Sequence, residues 1–285
     1  MKIIVDSGAT KAQWGLVEGG KEAGMITTAG INLSTMTAQA VEEIVAQAAS
    51  QVPSGSKVEA VYFYAAGLIT KPGEAVPQLA EGLHQSFTKY FPGAQYEYAS
   101  DLLAAARAVC GHSKGVACIL GTGSNSCLFD GENIVRNIHS CGFILGDEGS
   151  GASLGKRFMA AFLKDLLPQE VADDFASRYE VDYLTVVKNV YRSPAPSKYL
   201  GEFAPYIISW YDRNTYVREL IEENFRDFVK GFLVRYDPSK TLPLGAIGGF
   251  AYANRQILEK VAAQEGVHFD KIYKTPIEGL IRYHA

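Results

Sequence analysis

Ile3-Ile4-Val5-Asp6-Ser7-Gly8-Ala9-Thr10-Lys11 is an apolar run that ends in an acid and a glycine turn, and a second apolar run over 12–17 follows at once. Cys118-Ile119-Leu120-Gly121-Thr122-Gly123-Ser124-Asn125-Ser126 repeats that order: apolar strand, small or acidic residue, hydroxyl, glycine, small residue, two polar residues, strand. Each reads as strand, turn and strand. Two such starts in one chain point to an internal duplication and two similar lobes.

From the first start outward, Gly19-Gly20 closes a turn and 22–27 resumes as a strand. A helix follows over 37–49, capped by Thr37, with Val41, Ile44, Val45 and Ala48 on one face. The near-continuous apolar run 58–66 reads as a buried central strand. A helix over 74–91, a strand over 94–99 and a helix over 102–110 complete a β-β-β-α-β-α-β-α order. The second start has strands at 115–120, 127–129 and 134–138, then a long helix over 151–167. Residues 169–236 read as helical throughout, with breaks at 193–196 and near Asp212. Strand 242–247, the turn Gly248-Gly249, helix 250–264, strand 268–273 and a closing helix over 276–283 end the chain. The expected division is a first lobe over 1–106, with residues 276–285 packing back on it, and a second over 107–275 with a helical insertion at 169–236.

With 285 residues, the chain has room for about two domains at ~150 residues each. Hydrophobic residues are 47% and charged residues 20%, ordinary for a folded chain and incompatible with a disordered one. Twenty-seven basic residues against 31 acidic ones leave no surplus for phosphate-backbone contacts, so no nucleic-acid partner is expected. The opening Met-Lys-Ile-Ile-Val-Asp is too short an apolar run for a signal peptide or a span, and no other span is visible, so the expectation is a cytoplasmic protein without a membrane partner. Cys110, Cys118, Cys127 and Cys141 are separated by 7, 8 and 13 residues. With no C-x-x-C pair, they read as buried small apolar side chains in a reducing compartment.

Glycine turns at strand ends free backbone N–H groups, which form nests for phosphate oxygens. None of the turns here matches G-x-x-x-x-G-K-[ST], and the Gly121 turn leads into a strand rather than a helix, so neither a P-loop nor a dinucleotide fingerprint is present. Asp6 ends an apolar strand, where a carboxylate can hold a hydrated Mg²⁺. Asp101 follows a strand and opens a helix, and Asp147-Glu148-Gly149-Ser150 precedes another; helix capping is the plain alternative for both. Gly151-Ala152-Ser153-Leu154-Gly155 matches the nucleophile elbow in letters, but no strand precedes it. Of the downstream histidines, His268 reads as a strand residue and His284 as a frayed terminus.

Asp-x-Gly-x-Thr-Lys at 6–11, Leu-Gly-Thr-Gly-Ser-Asn at 120–125, Gly-Asp-Glu-Gly-Ser at 146–150 and Gly-Ala-Ile-Gly-Gly at 245–249 resemble the actin, Hsp70 and sugar kinase superfamily. Within it the chain is similar to the N-acetylglucosamine kinase branch of the BadF/BadG/BcrA/BcrD ATPase family, with Gly30-Ile31-Asn32-Leu33-Ser34 and Ser100-Asp101 fitting that branch. The resemblance covers nearly the whole chain. It implies an α/β actin-like ATPase fold, two ribonuclease-H-like lobes with ATP in the cleft between them, and a kinase acting on a small-molecule amino sugar. By it, Asp6 organises Mg²⁺, and Gly8, Thr10 and Lys11 belong to the first phosphate loop. Gly121, Thr122, Gly123 and Ser124 form the second phosphate loop, and Gly248-Gly249 pack against adenosine. Asp101 is the base that takes the sugar proton. Asn32 and Asp147, with Thr122 and Gly123 beside them, contact the sugar. A homodimer is compatible with it.

The chain departs from the family pattern in two places. Ser140-Cys141-Gly142-Phe143 stands where the branch often has Gly-Gly-Trp-Gly, near the acetamido group, and Ala65-Ala66-Gly67 replaces a serine–glycine turn. The other arm of the family activates 2-hydroxyacyl-CoA dehydratases and benzoyl-CoA reductases through an iron–sulfur cluster held in a Cys-Ala-Ala-Gly-Thr-Gly-like segment, which this chain lacks. A non-catalytic sugar or ATP sensor on the same fold would not need Asp6, Lys11 and Asp101 together.

Overall fold

The computed structural model describes residues 1–8, 10–68, 74–237 and 240–285. In chain order the strands are β1 (Lys2–Ser7), β2 (Lys11–Glu18), β3 (Lys21–Ala29), β4 (Ala60–Ala65), β5 (Gln95–Ser100), β6 (Gly115–Leu120), β7 (Ser124–Phe129), β8 (Ile134–Asn137), β9 (Leu244–Ile247) and β10 (Lys271–Tyr273). The helices are α1 (Ala38–Ala49), α2 (Glu81–Tyr90), α3 (Asp101–Cys110), α4 (Gly142–Leu145), α5 (Gly151–Phe162), α6 (Gln169–Arg178), α7 (Tyr183–Tyr191), α8 (Pro196–Gly201), α9 (Ala204–Ile208), α10 (Thr215–Phe228), α11 (Val234–Tyr236), α12 (Gly249–Ala253), α13 (Arg255–Gln264) and α14 (Ile277–His284).

Two five-stranded sheets result, in the orders β3-β2-β1-β4-β5 and β10-β9-β6-β7-β8. Read from β8, the second sheet has the sequence order of the first, strand for strand. In the first sheet β1 runs antiparallel to β2 and parallel to β4, and β4 runs parallel to β5. In the second, β6 and β9 are parallel, as are β9 and β10. The repeated apolar–glycine pattern at 3–11 and 118–126 thus corresponds to a repeated topology. Compact units divide at 114/115: one contains residues 1–114, 129–134 and 275–285, the other 115–128 and 135–274. Helix α3 runs unbroken through position 106, because its alanines keep one face buried from Ala104 to Ala108.

In the first unit Ile3, Ile4 and Val5 are fully buried, as a strand covered on both faces must be. On one face Trp14 and Phe63 of the sheet each meet Phe87 of α2 edge-to-face, in a core shared with α1. Thr37 caps α1 by accepting from the Ala40 amide at 3.2 Å. The other face is covered by α3 and α14. His284, expected to fray, is buried: its Nε2 lies 2.7 Å from the Tyr64 hydroxyl and its ring stacks on Tyr62 at 3.7 Å. Burial, with Arg107 and Lys2 nearby, pushes its pKa down to about 3, so the imidazole stays neutral in the folded chain.

The second unit has one large apolar core beneath α5 and the helices of 169–228. Several expected boundaries shift for local reasons. The second hairpin strand begins at Ser124, not 127, because the turn closes within 121–123, where the Gly121 amide donates to the Gly123 carbonyl at 2.9 Å. The helix expected over 151–167 ends at Phe162, and the one expected over 250–264 breaks at Asn254, whose amide side chain donates to the Phe250 carbonyl. The helix expected over 74–91 is regular only from Glu81, after a single 3₁₀ turn at Gln78–Ala80. His268 precedes β10 rather than lying in it. Helix α4 has no apolar period to announce it, and Ile144 and Leu145 stand exposed on it. Two cysteines depart from the expected burial: Cys141 is exposed and Cys110 half-buried, with Cys118 and Cys127 in the core. Among the described residues no helix is long and apolar enough to cross a membrane.

Candidate active site

Asp6 sits near the carboxyl end of β1, in register with Tyr64 of β4 and Gln13 of β2. Beyond it the Gly8 amide donates to the Lys11 carbonyl at 3.0 Å, closing a tight turn that leaves Thr10 and Lys11 exposed; Ala9 lies outside the described residues. Ser7 ties this turn to the next loop. Its hydroxyl accepts from the Ile31 amide at 2.8 Å, which places Asn32 beside the turn. Asn32 is exposed, and its side-chain oxygen accepts from the Ser34 amide at 3.0 Å in an Asx turn.

Asp101 lies one strand beyond β4. Ser7, Ala65 and Ser100 are in register across β1, β4 and β5, so Asp6 and Asp101 stand about two strand spacings apart, roughly 10 Å between backbones. Asp101 is not the helix cap. Ser100 is: its hydroxyl accepts from the Leu103 amide at 3.1 Å, and Asp101 is the first helical residue. One Asp101 oxygen accepts from the Leu102 amide at 2.8 Å. Burial raises its pKa, which makes it the stronger base.

Burial, followed by the Asp101 charge, pushes Asp6 up to about 7, against a smaller opposing pull from Lys11. The sign of the consequence is definite. Between about pH 4 and 7 the unfolded chain has released a proton that folded Asp6 still holds, so stability falls as pH rises through that window. The ligand-free protein is therefore expected to lose roughly 2–4 kcal/mol from this one group between pH 4 and 8. Asp6→Asn should flatten that loss. Melting temperatures of both proteins at pH 5 and pH 8 test it; equal pH slopes would contradict the buried-acid account.

In the second unit the turn 121–124 is clamped at both ends by 147–152. The Gly151 and Ala152 amides donate to the Gly121 and Thr122 carbonyls at 2.9 and 3.0 Å. The Ser124 amide donates to Asp147 Oδ1 at 3.3 Å, and a Cβ on Gly123 would lie 3.1 Å from Asp147 Oδ2. Asp147 is 7% exposed with φ of +58°, a left-handed backbone that aspartate tolerates better than most residues. Burial raises its pKa, while the Ser124 amide, the Ser140 hydroxyl and Lys156 oppose the rise. Asp147 does not cap α5 either; Ser150 does, accepting from the Ser153 amide at 3.1 Å.

Gly248 has φ of +131°, and a Cβ there would strike the Leu120 carbonyl. It lets β9 and β6 close up beneath the 121 turn. Gly249 opens onto a groove of about 610 Å³, lined by Thr122, Gly151, Ala204, Ile208, Phe250 and Asn254 among others. Apolar walls with a few polar groups and this volume suit a nucleoside. The α9 wall of this groove was not legible in the sequence, since the helices of 169–236 carry no motif. Gly155 of the elbow-like letters faces the Leu200 carbonyl, where no side chain fits, and Ser153 is 3% exposed in the first turn of α5. That pattern serves helix packing, not a nucleophile.

The residues present fit both implied groups. Mg²⁺ keeps several waters and needs only one or two carboxylates. Asp6 offers a carboxylate whose ionisation a bound cation would favour, and the buried Gln13 amide oxygen in register with Asp6 has no hydrogen-bond partner among the described residues. Among the described residues no cluster of three or more His, Cys, Asp or Glu could hold a metal directly. The glycine cradle and groove of the second unit fit a nucleotide.

Paired sheets of one repeated topology, carrying glycine turns and strand-end carboxylates, define the fold of the actin-like ATPase sugar kinases. No protein-family model and no curated protein sequence matches the chain. Among solved structures it is similar to the candidate N-acetylglucosamine kinase of Porphyromonas gingivalis, with 38% identity, 100% of this chain and 98% of that one covered, and a TM-score of 0.85. The chain belongs to the family of that protein. It is also similar to a candidate N-acetylglucosamine kinase from Chromobacterium violaceum (20% identity, 100% and 98% covered, TM-score 0.68). A glucokinase of the ROK family from Streptomyces griseus, solved with glucose and AMPPNP, shares the fold (16% identity, 99% and 97% covered, TM-score 0.54).

Proposed function

We propose that the protein is an ATP- and Mg²⁺-dependent sugar kinase of the N-acetylglucosamine kinase branch of the BadF/BadG/BcrA/BcrD ATPases. It transfers the γ-phosphate to a hydroxyl of an amino sugar, with N-acetylglucosamine as the first substrate to test. The observation that carries this reading is Asp101: a half-buried carboxylate at the first position of α3, two strands from Asp6, relieved of capping by Ser100.

Phosphoryl transfer asks for positioning and charge compensation more than covalent chemistry. In the first unit Asp101 accepts the proton of the attacking sugar hydroxyl as that oxygen bonds to the γ-phosphorus and the bond to the β–γ bridging oxygen breaks. Asp6 would hold a hydrated cation, which would supply charge neutralisation on the phosphates. Lys11 and Thr10 face the phosphates, and Asn32 binds the sugar. In the second unit the amides and hydroxyls of Gly121, Thr122, Gly123 and Ser124 receive phosphate oxygens, Gly249 lies along the nucleoside, and Asp147 binds a sugar hydroxyl.

Millimolar ATP with Mg²⁺ is expected to raise the melting temperature, since a ligand that binds only the folded state at ~100 times its Kd adds about 2.7 kcal/mol. A sugar panel with ATP, read by ADP release and product mass, then names the acceptor. No thermal shift with or without sugars would remove the kinase reading.

A further inference from the structure

Gln13 occupies the β2 position in register with Asp6, so both side chains leave the sheet on the same face, with Cβ atoms about 5 Å apart. Its neighbours on β2 explain themselves by packing: Trp14 enters the apolar core on the opposite face, and a Cβ on Gly15 would crowd Ile281 of α14. Gln13 does not. Its amide oxygen is shielded from solvent and receives no hydrogen bond from any described residue. A buried carbonyl without a donor costs about 1–3 kcal/mol, a cost that a purely structural position would avoid with an apolar residue. Gln13 thus leaves the sheet on the face of the Asp6 carboxyl, whose nearest charged neighbours are Asp101 and Lys11. What satisfies a buried acceptor paired with the Asp6 carboxylate is a donor that itself carries positive charge, such as a metal-bound water.

We propose that Gln13 is a positioning residue of the cation site: its amide oxygen accepts a hydrogen bond from a water in the coordination shell of the divalent cation that Asp6 holds. The inference rests on the kinase reading of Asp6. No bond is made or broken; Gln13 orients the hydrated ion and adds an acceptor without adding charge. Residues in this role typically change metal affinity 10–100-fold when removed.

The test measures Mn²⁺ affinity by electron paramagnetic resonance in the presence of a non-hydrolysable ATP analogue, with Mg²⁺ competition as a second reading. Wild type, Gln13→Leu, Gln13→Glu and Asp6→Asn are compared, each first shown to melt cooperatively. Gln13→Leu is expected to bind the cation at least tenfold more weakly, and Gln13→Glu, of the same size but charged, as tightly as wild type or tighter. Gln13→Leu at wild-type affinity, with Asp6→Asn impaired, would overturn the role of Gln13 and leave the reading of Asp6 intact. If Gln13→Leu does not fold, Gln13→Glu decides alone: weaker cation binding than wild type overturns the proposal. Asp6→Asn at wild-type affinity would overturn the Asp6 assignment and this proposal with it.

Discussion

Asp101→Asn is expected to keep the fold and nucleotide binding while sugar phosphorylation falls by about 10²–10⁴ in rate, the usual worth of a positioned general base. The stability half of this expectation follows from Ser100, whose hydroxyl caps α3 whatever stands at 101. Asparagine can still accept from the Leu102 amide through its own oxygen. Removing a half-buried charge beside Asp6 also lowers Asp6 toward its ordinary range, so the variant should be slightly more stable than wild type at pH 8. Turnover should drop more than the Michaelis constant for sugar rises, because the proton is shared only in the transition state. Steady-state kinetics on the best acceptor, with a melting curve as control, decides it. Near-wild-type turnover would leave Asp101 without a catalytic role and make Asp147 the next base to test.

Gly248→Ala is expected to destabilise the second unit by ~3 kcal/mol or more and to weaken ATP binding. Two costs add. A backbone at φ of +131° and ψ of 148° is essentially glycine-only and costs a side chain about 1–3 kcal/mol. The new methyl would also run into the Leu120 carbonyl, so β6 must shift just before the Gly121 turn that it delivers. Gly249→Ala is the matched control. Nothing lies within 4 Å of a Cβ there and its φ is ordinary, so the fold should tolerate it while a methyl enters the groove. Melting temperature should therefore separate the two variants. An unchanged melting temperature for Gly248→Ala would refute the close-packing account of this glycine.

Much of the architecture is written in local chemistry. Ile3-Ile4-Val5 and Cys118-Ile119-Leu120, each running into a glycine turn, declare central strands, and their repetition declares the matching sheet orders. Thr37 as a cap and the helical stripe Val41, Ile44, Val45 and Ala48 are legible for the same reason: the signals lie within a few residues. Position matters more for the acids. Asp101 and Asp147 look like helix caps in the sequence, because an acid before a helical run is a good cap. Only the backbone path shows that Ser100 and Ser150 take that duty.

The two α/β sheets of like order, the glycine turns and the set of acids are legible in the sequence, since strand periodicity and turn chemistry are encoded within single segments. Which of those groups face one another follows from how the segments pack. Gln13 matters because β2 pairs with β1 in a register that sets it across from Asp6, and register depends on packing between segments. His284 is a neutral core residue rather than a frayed end because α14 returns from the far end of the chain onto Tyr62 and Tyr64. The groove beside Gly249 owes its α9 wall to helices that carry no motif, brought beside Thr122 and Gly249 by burial of their apolar faces against α5. Contacts between residues tens to hundreds of positions apart are set by the summed burial of whole elements, and no local pattern records that sum.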